Sequence, residues 1–229
     1  MTQGMTRGTL PTFDDLPVIL PVFPLSGALL LPRGRLPLNI FEPRYIAMID
    51  DALGPLPITG RMIGMIQPQT EGGENLYKVG CAGRIVAFSE TEDNRYLITL
   101  EGTCRFAIGD ELAMVHGYRR VAPLWDAYKN DLAANEEAPP FFDREKLVVA
   151  LRPYFKLHGI MANWGTIDEL SPEKLVIAVA TACPFSVSEK QALLEAHDIN
   201  DRFKLLLTLL DMATRTLSSQ HGDIEGMRH

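Results

Sequence analysis

Cysteine is scarce in this chain. Only Cys81, Cys104 and Cys183 occur among 229 residues, widely separated and flanked by apolar or small side chains. That usage excludes a disulfide framework and reads as reduced, mostly packed thiols. Cys81 and Cys104 are the one pair that neighbouring strands would bring together. Long apolar runs are missing too. Each is broken by proline or charge well short of the roughly 20 residues that span a bilayer. The start, MTQGMTRGTLPTFDD, has no apolar core of a secretory signal, so a cytoplasmic location is expected. Positive charge is in deficit: 22 Lys and Arg against 29 Asp and Glu give a net charge of −7. A chain so balanced lacks the broad positive field that gathers phosphates, which argues against nucleic acid and against a membrane as partners.

The short motifs of catalysis are absent as well. No GxxxxGK[ST] loop, GxGxxG turn, GxSxG elbow, HExxH helix or CxxC pair occurs. The signatures of phosphate cradles, dinucleotide sites, serine nucleophiles and zinc centres are therefore missing. No catalytic residue, metal or cofactor is expected. Ser26, in Pro24-Leu25-Ser26-Gly27, reads as a turn residue. His116 lies in a β pattern and reads as a paired strand residue. Adjacent carboxylates such as Asp50-Asp51 read as a solvated face, because an acid/base pair needs environments that separate the two pKa values.

What is present is structural. Hydrophobic residues make up 46% of the chain, enough for a sizeable core. Val18 to Phe23 is an apolar run held between Pro17 and Pro24, as suits a strand with sharp ends. Ala28 to Leu31 is a second apolar piece, and Leu36 to Phe41 reads as the next strand. Pro43 fits the first turn of a helix, with Glu42 adding negative charge at its N-terminus. Tyr45, Met48, Ile49 and Ala52 follow at helical spacing, and Gly54-Pro55 stops the element. Arg61 to Gln67 is nearly continuous in apolar residues, as a strand covered on both faces would be. Tyr77 to Ser89, Arg95 to Glu101, Cys104 to Ile108 and Leu112 to Val121 read as further strands, with Gly102 as a break. Several short strands with compact turns indicate a small closed or half-closed β-structure.

Beyond Asn130 to Pro140 the pattern becomes helical. Arg144 to Ile160 carries apolar residues at helical spacing, with a kink or two abutting helices expected at Pro153. Ser171-Pro172-Glu173 opens one helix, ended by Pro184, and Ser186-Val187-Ser188-Glu189 is a capping box opening another. Asp198 caps the last. The fold class is α+β: a β-rich N-terminal subdomain over residues 16–125, a linker over 126–140, and a helical bundle over 141–218. Residues 1–15 and 219–229 are expected to be loose tails.

The blocks LPVFPLSGALLLPRGRLPLNIFEPRYIAMIDDAL, RMIGMIQP and LYKVGCAGRIVAFSETEDNRYLITLEGTCRF, then FSVSEKQALLEAHDINDRFKLLLTLL, resemble the N-terminal substrate-binding domain of the ATP-dependent Lon proteases. The likeness covers roughly residues 16–215. It implies a small barrel similar to PUA-type folds followed by a helical bundle. It also implies recognition of unfolded or tagged proteins, with proteolytic machinery as a partner. Neither the ATPase module nor the Ser–Lys protease domain of that family has a counterpart here, so a stand-alone, non-catalytic binding module is expected. A small-ligand protein with a pocket between the two subdomains is the alternative. The candidate binding residues are Glu42, Arg44 and Tyr45, between an apolar strand and an amphipathic helix, with Met62, Met65, Tyr77 and Phe155 as adaptable apolar contacts. For the first three the competing reading is a charge-assisted network holding strand to helix; for the others it is core packing.

Overall fold

The computed structural model describes residues 11–55, 59–70, 74–133 and 142–226, with side chains as far as residue 215. The chain divides into two compact units, Met1–Asn135 and Glu136–His229.

The first unit is built on one very long strand. Six strands, β1 (Leu20–Pro24), β2 (Arg35–Ile40), β3 (Met62–Ile66), β4 (Val79–Glu90), β5 (Tyr96–Val115) and β6 (Tyr118–Leu124), form a single sheet. β5 pairs with β4, β4 with β3, β3 with β1, β1 with β6, and β6 again with β5, so five strands close into a barrel. β2 lies outside the ring, paired antiparallel with the first half of β5. Only β1 and β3 run parallel. Bulges near Ala82, Ile85 and Ile108 bend β4 and β5 around so that one strand serves both the outer ribbon and the ring.

The expected break at Gly102 is a bulge rather than an end: β5 continues through it, with the pairing to β4 shifted by one residue at Thr103. Glycine is needed there for another reason. A Cβ at that position would fall 2.0 Å from the Leu31 carbonyl oxygen. The chain before β2 crosses β5 at this point, and Leu29, Leu30 and Leu31 are buried there as a loop rather than a strand. The expected strand Leu112 to Val121 is in fact a hairpin. His116 (φ 48) and Gly117 (φ 83) are both left-handed, as a two-residue primed turn requires. His116 is thus a turn residue. β1 starts two residues later than its flanking prolines suggest, and Val18 is exposed.

The barrel core joins Leu20, Val22, Met62, Ile66, Ala82, Cys104, Phe106, Val121 and Trp125. Phe106 fills the centre because Gly64 and Gly80 leave it room: a Cβ on either would approach its ring to 2.9 or 2.7 Å. Burying such a ring is worth about 1.5–3 kcal/mol. Cys81 faces Arg105 across the β4–β5 ladder, whereas Cys104 faces Ala82. The two thiols therefore sit on opposite faces of the sheet, and all three cysteines are free and buried.

Helix α1 (Pro43–Leu53) starts at Pro43 and buries Tyr45, Met48, Ile49 and Ala52. The Tyr45 ring lies 4.2 Å from that of Phe23 in β1. Asp50 and Asp51 are not merely solvated. Asp50 accepts a 2.8 Å hydrogen bond from the Tyr96 hydroxyl, and Asp51 one of 2.8 Å from Tyr118. They tie α1 to β5 and β6.

The sequence reading places 126–140 in a linker. Residues 134–140 lie outside the described residues, but Asp126–Leu132 forms a 3-10 turn clamped to β5. Arg105 donates from Nε and Nη2 to the two carboxylate oxygens of Asp131, both at 2.8 Å, and its amide donates to the same group at 2.9 Å. Both side chains are buried. Arg33 donates to the Asp131 carbonyl at 2.8 Å.

The second unit contains α2 (Arg144–Leu157), α3 (Trp164–Glu169), α4 (Pro172–Ala182), α5 (Val187–Glu195) and α6 (Ile199–Gly226). Its starts follow the side chains that cap them. Ser186 and Glu189 form a reciprocal capping box, and the Asp198 carboxylate accepts the Asp201 amide at 2.9 Å. Pro153 lies inside α2, and α3 was not anticipated. α4 buries Leu175, Val176, Ile177, Val179 and Ala180, and Ala178 is exposed. On α6, Phe203, Leu206, Leu209 and Leu210 are buried and Met212 is exposed.

Candidate functional site

The ladder between β1 and β6 ends at Val22 and Arg119. Beyond that point a cleft of about 270 Å³ is lined by Pro24, Ser26, Arg44, Tyr45, Pro68, Glu74, Gly117, Tyr118 and Arg119. It therefore gathers the end of β1, the first turn of α1, the chain after β3, and the hairpin that starts β6.

Arg44 and Tyr45 both line this cleft. Glu42 joins them through Arg44, whose Nε and Nη2 both donate to one carboxylate oxygen at 3.0 and 2.7 Å. This pair spans only two residues, and its side chains are 51% and 43% exposed. It does not tie β2 to α1, so the expected strand-to-helix network is not what it forms. An exposed pair of this kind contributes about 0–1 kcal/mol. The Arg44 guanidinium also lies over the Tyr45 ring, 4.6 Å from its centroid. Burial raises the Tyr45 phenol above its usual range, against the opposing effect of Arg44.

Arg119 is held differently. It donates to both oxygens of Glu111, at 2.6 and 2.7 Å, and to the Glu74 carbonyl at 2.7 Å. The hydrogen bond from Arg119 lowers the Glu111 carboxyl below the usual carboxylate range. Tyr118 bonds Asp51, and burial together with that bond pushes its phenol up to about 12. Among the described residues no hydrogen bond joins Ser26 to His116, whose Nδ1 is 3.1 Å from Asp51.

The other candidates lie elsewhere. Met62 and Met65 are enclosed in β3, at 0% and 3% exposure, so both are core residues and present no surface. Burial on both faces of β3 decides this. Tyr77 is half-buried before β4, its amide donating to Gln67 at 2.9 Å, and it does not line the cleft. Phe155 is buried in α2 of the second unit, packed near Trp164 at 5.8 Å. Sequence reasoning missed Glu74, Gly117, Tyr118 and Arg119. The His116-Gly117 turn was the signal that would have separated β5 from β6 and placed Arg119 beside Arg44.

A second hollow, of about 570 Å³, lies within the helical unit between α2 and α6. Val149, Ala150, Pro153, Leu207 and Leu210 form its apolar part, with Lys146, Asp211 and Arg215 among its polar lining. Among the described residues no group of three or more His, Cys, Asp or Glu side chains is placed to hold a metal ion. No described helix is long and apolar enough to cross a membrane.

A small closed barrel with one outer strand, followed in sequence by a unit with five described helices, defines an α+β protein. The model of the ATP-dependent protease La (LON) substrate-binding domain matches residues 19–212, and the chain belongs to that family. Among curated relatives, it is 28% identical over 222 residues to Lon protease 2 of Myxococcus xanthus, covering 92% of this chain and 26% of that protein. It is 26% identical over 203 residues to the Lon protease of Anaeromyxobacter dehalogenans, covering 86% and 24%. The chain thus spans about a quarter of the length of these relatives. Among solved structures, a Lon N-terminal domain protein from Xanthomonas campestris superposes with a TM-score of 0.54 at 24% identity, covering 83% of this chain and 97% of that one. The N-terminal domain of the Mycobacterium avium complex Lon protease gives 0.53 at 15% identity, covering 84% and 98%. Both show the shared fold.

Proposed function

We propose that the chain is a recognition module that binds non-native or tagged protein segments and performs no chemistry on them. The observation that carries this reading is the match to a substrate-binding domain along most of the chain. The barrel cleft supports it, being open, lined by polar and aromatic side chains, and bounded by elements that the closed ring holds in place. The segment leaves uncut and without a nucleotide requirement, and Glu42, Arg44 and Tyr45 contribute to its binding. Proteolytic machinery is the partner that a module of this family would serve.

The test is binding of a reduced, iodoacetamide-treated and so permanently unfolded protein, compared with its native form. Retention of the unfolded form alone, with no fragments after prolonged incubation with and without ATP, is the expected result. Equal retention of both forms, or of neither, refutes recognition. ATP-dependent fragments refute the non-catalytic part.

A further inference from the structure

We infer that the barrel cleft reads a carboxylate on the bound segment, from an acidic side chain or from the segment's own C-terminus. Arg44 is the accessible partner, and Arg119, held by Glu111, lines the same cleft. The inference rests on the proposed reading that the chain binds protein segments, and it names the chemistry of one anchor.

Two guanidinium groups from separate elements, α1 and β6, line one hollow whose lining includes a single acidic residue, Glu74. The backbone carbonyl of Glu74 is already committed to Arg119. Arg119 is engaged along both edges, by Glu111 and by that carbonyl, and is only 24% exposed. Its charge is offset by Glu111, and it forms a fixed wall of the cleft. Arg44 is the opposite case. Glu42 occupies its Nε and Nη2 through one oxygen, and among the described residues no hydrogen bond uses Nη1. The outer edge of the fork, Nη1 with the second Nη2 proton, is the edge that a carboxylate engages with two parallel hydrogen bonds. The ring of Tyr45, buried against Phe23, lies beneath the guanidinium and limits its freedom before any ligand arrives. Little ordering is then left for binding to impose. A structural role for Arg44 does not account for this arrangement, because its one ion pair among the described residues is local and exposed.

The experiment uses four fluorescent peptides of one apolar sequence, read by anisotropy against the full chain. One has a free C-terminal carboxylate; one is amidated; one is amidated with a single internal aspartate; one is amidated with asparagine in that place. Carboxylate-bearing peptides are expected to bind about tenfold tighter than their neutral counterparts. The free-terminus and aspartate arms separate the two sources. Arg44→Ala removes the difference while the melting temperature stays within about 2 °C of wild type, and Arg44→Lys restores part of it. Equal affinity for charged and neutral peptides overturns the inference and leaves segment binding standing. Discrimination that survives Arg44→Ala also overturns it. Failure of every peptide and of the unfolded protein to bind overturns both.

Discussion

Asp131→Ala isolates the clamp that closes the barrel unit. The wild-type carboxylate accepts two charge-assisted bonds from the Arg105 side chain and one from its backbone amide. The two side chains are 5% and 9% exposed. Removing one partner takes the carboxylate away from a guanidinium and an amide in a site that water scarcely reaches. Breaking a buried pair in this way costs about 3–5 kcal/mol, a large share of the roughly 5–15 kcal/mol that holds a domain together. For a unit of this size that is a fall of roughly 10–20 °C in melting temperature. The chain carries its two tryptophans in separate units, Trp125 and Trp164. A Trp164→Phe background therefore makes fluorescence a report on the barrel alone. Urea titration of that variant with and without Asp131→Ala gives the difference directly. Replacing both partners by apolar residues, as Arg105→Met with Asp131→Leu, is expected to recover most of the loss, because no buried charge then lacks its carboxylate. A loss below about 1 kcal/mol for the single variant, or a double variant no better than it, refutes the argument that Asp131 pins the turn through charge.

Gly80→Ala places a methyl group 2.7 Å from both the Met65 carbonyl oxygen and the Phe106 ring; a lowered urea midpoint, equivalent to about 1–3 kcal/mol, is the expected result. Burial pushes the thiols of Cys104 and Cys183 up to about 12, so the native protein resists iodoacetamide at pH 8 and takes up three labels only when unfolded, as mass spectrometry will show. The Asp198 carboxyl is lowered, chiefly by the Asp201 amide that it accepts. Its stabilising effect is therefore complete above the unfolded value and is lost as pH falls through the lower folded one. Asp198→Ala should cost about 1 kcal/mol at pH 7, and the gap from wild type should shrink steadily in melts taken below pH 4.

The elements that the sequence made legible are those whose signals are local. Pro43 and Gly54 bound α1 as read, and Ser186 and Glu189 cap α5 as read. The errors came where a distant contact sets the meaning of a residue. Gly102 reads as a break until Leu31 is known to cross it. Asp131 reads as part of a linker until Arg105 is placed beneath it. The cleft followed the same rule. Arg44 and Tyr45 announce themselves beside a helix start, whereas Arg119 gains its neighbours only when β6 closes the ring. Met62 and Met65 looked available because methionine suits adaptable surfaces, but a strand enclosed on both faces leaves them no access.

Closure of the ring also decides how this unit meets other chains. Each of the five ring strands has at least two partner strands and β2 alone among the described strands has one, although the outer half of β4, residues 87–90, is paired with β5 only. Pro37 sits in the middle of β2, at a register position opposite Thr99. Proline offers no N–H, so the row of donors along the edge is interrupted where an incoming strand would need it. A protein that holds unfolded segments risks templating them into cross-strand aggregates. Here the closed ring itself offers little backbone to copy, and a grip exerted there comes through side chains, which can let go.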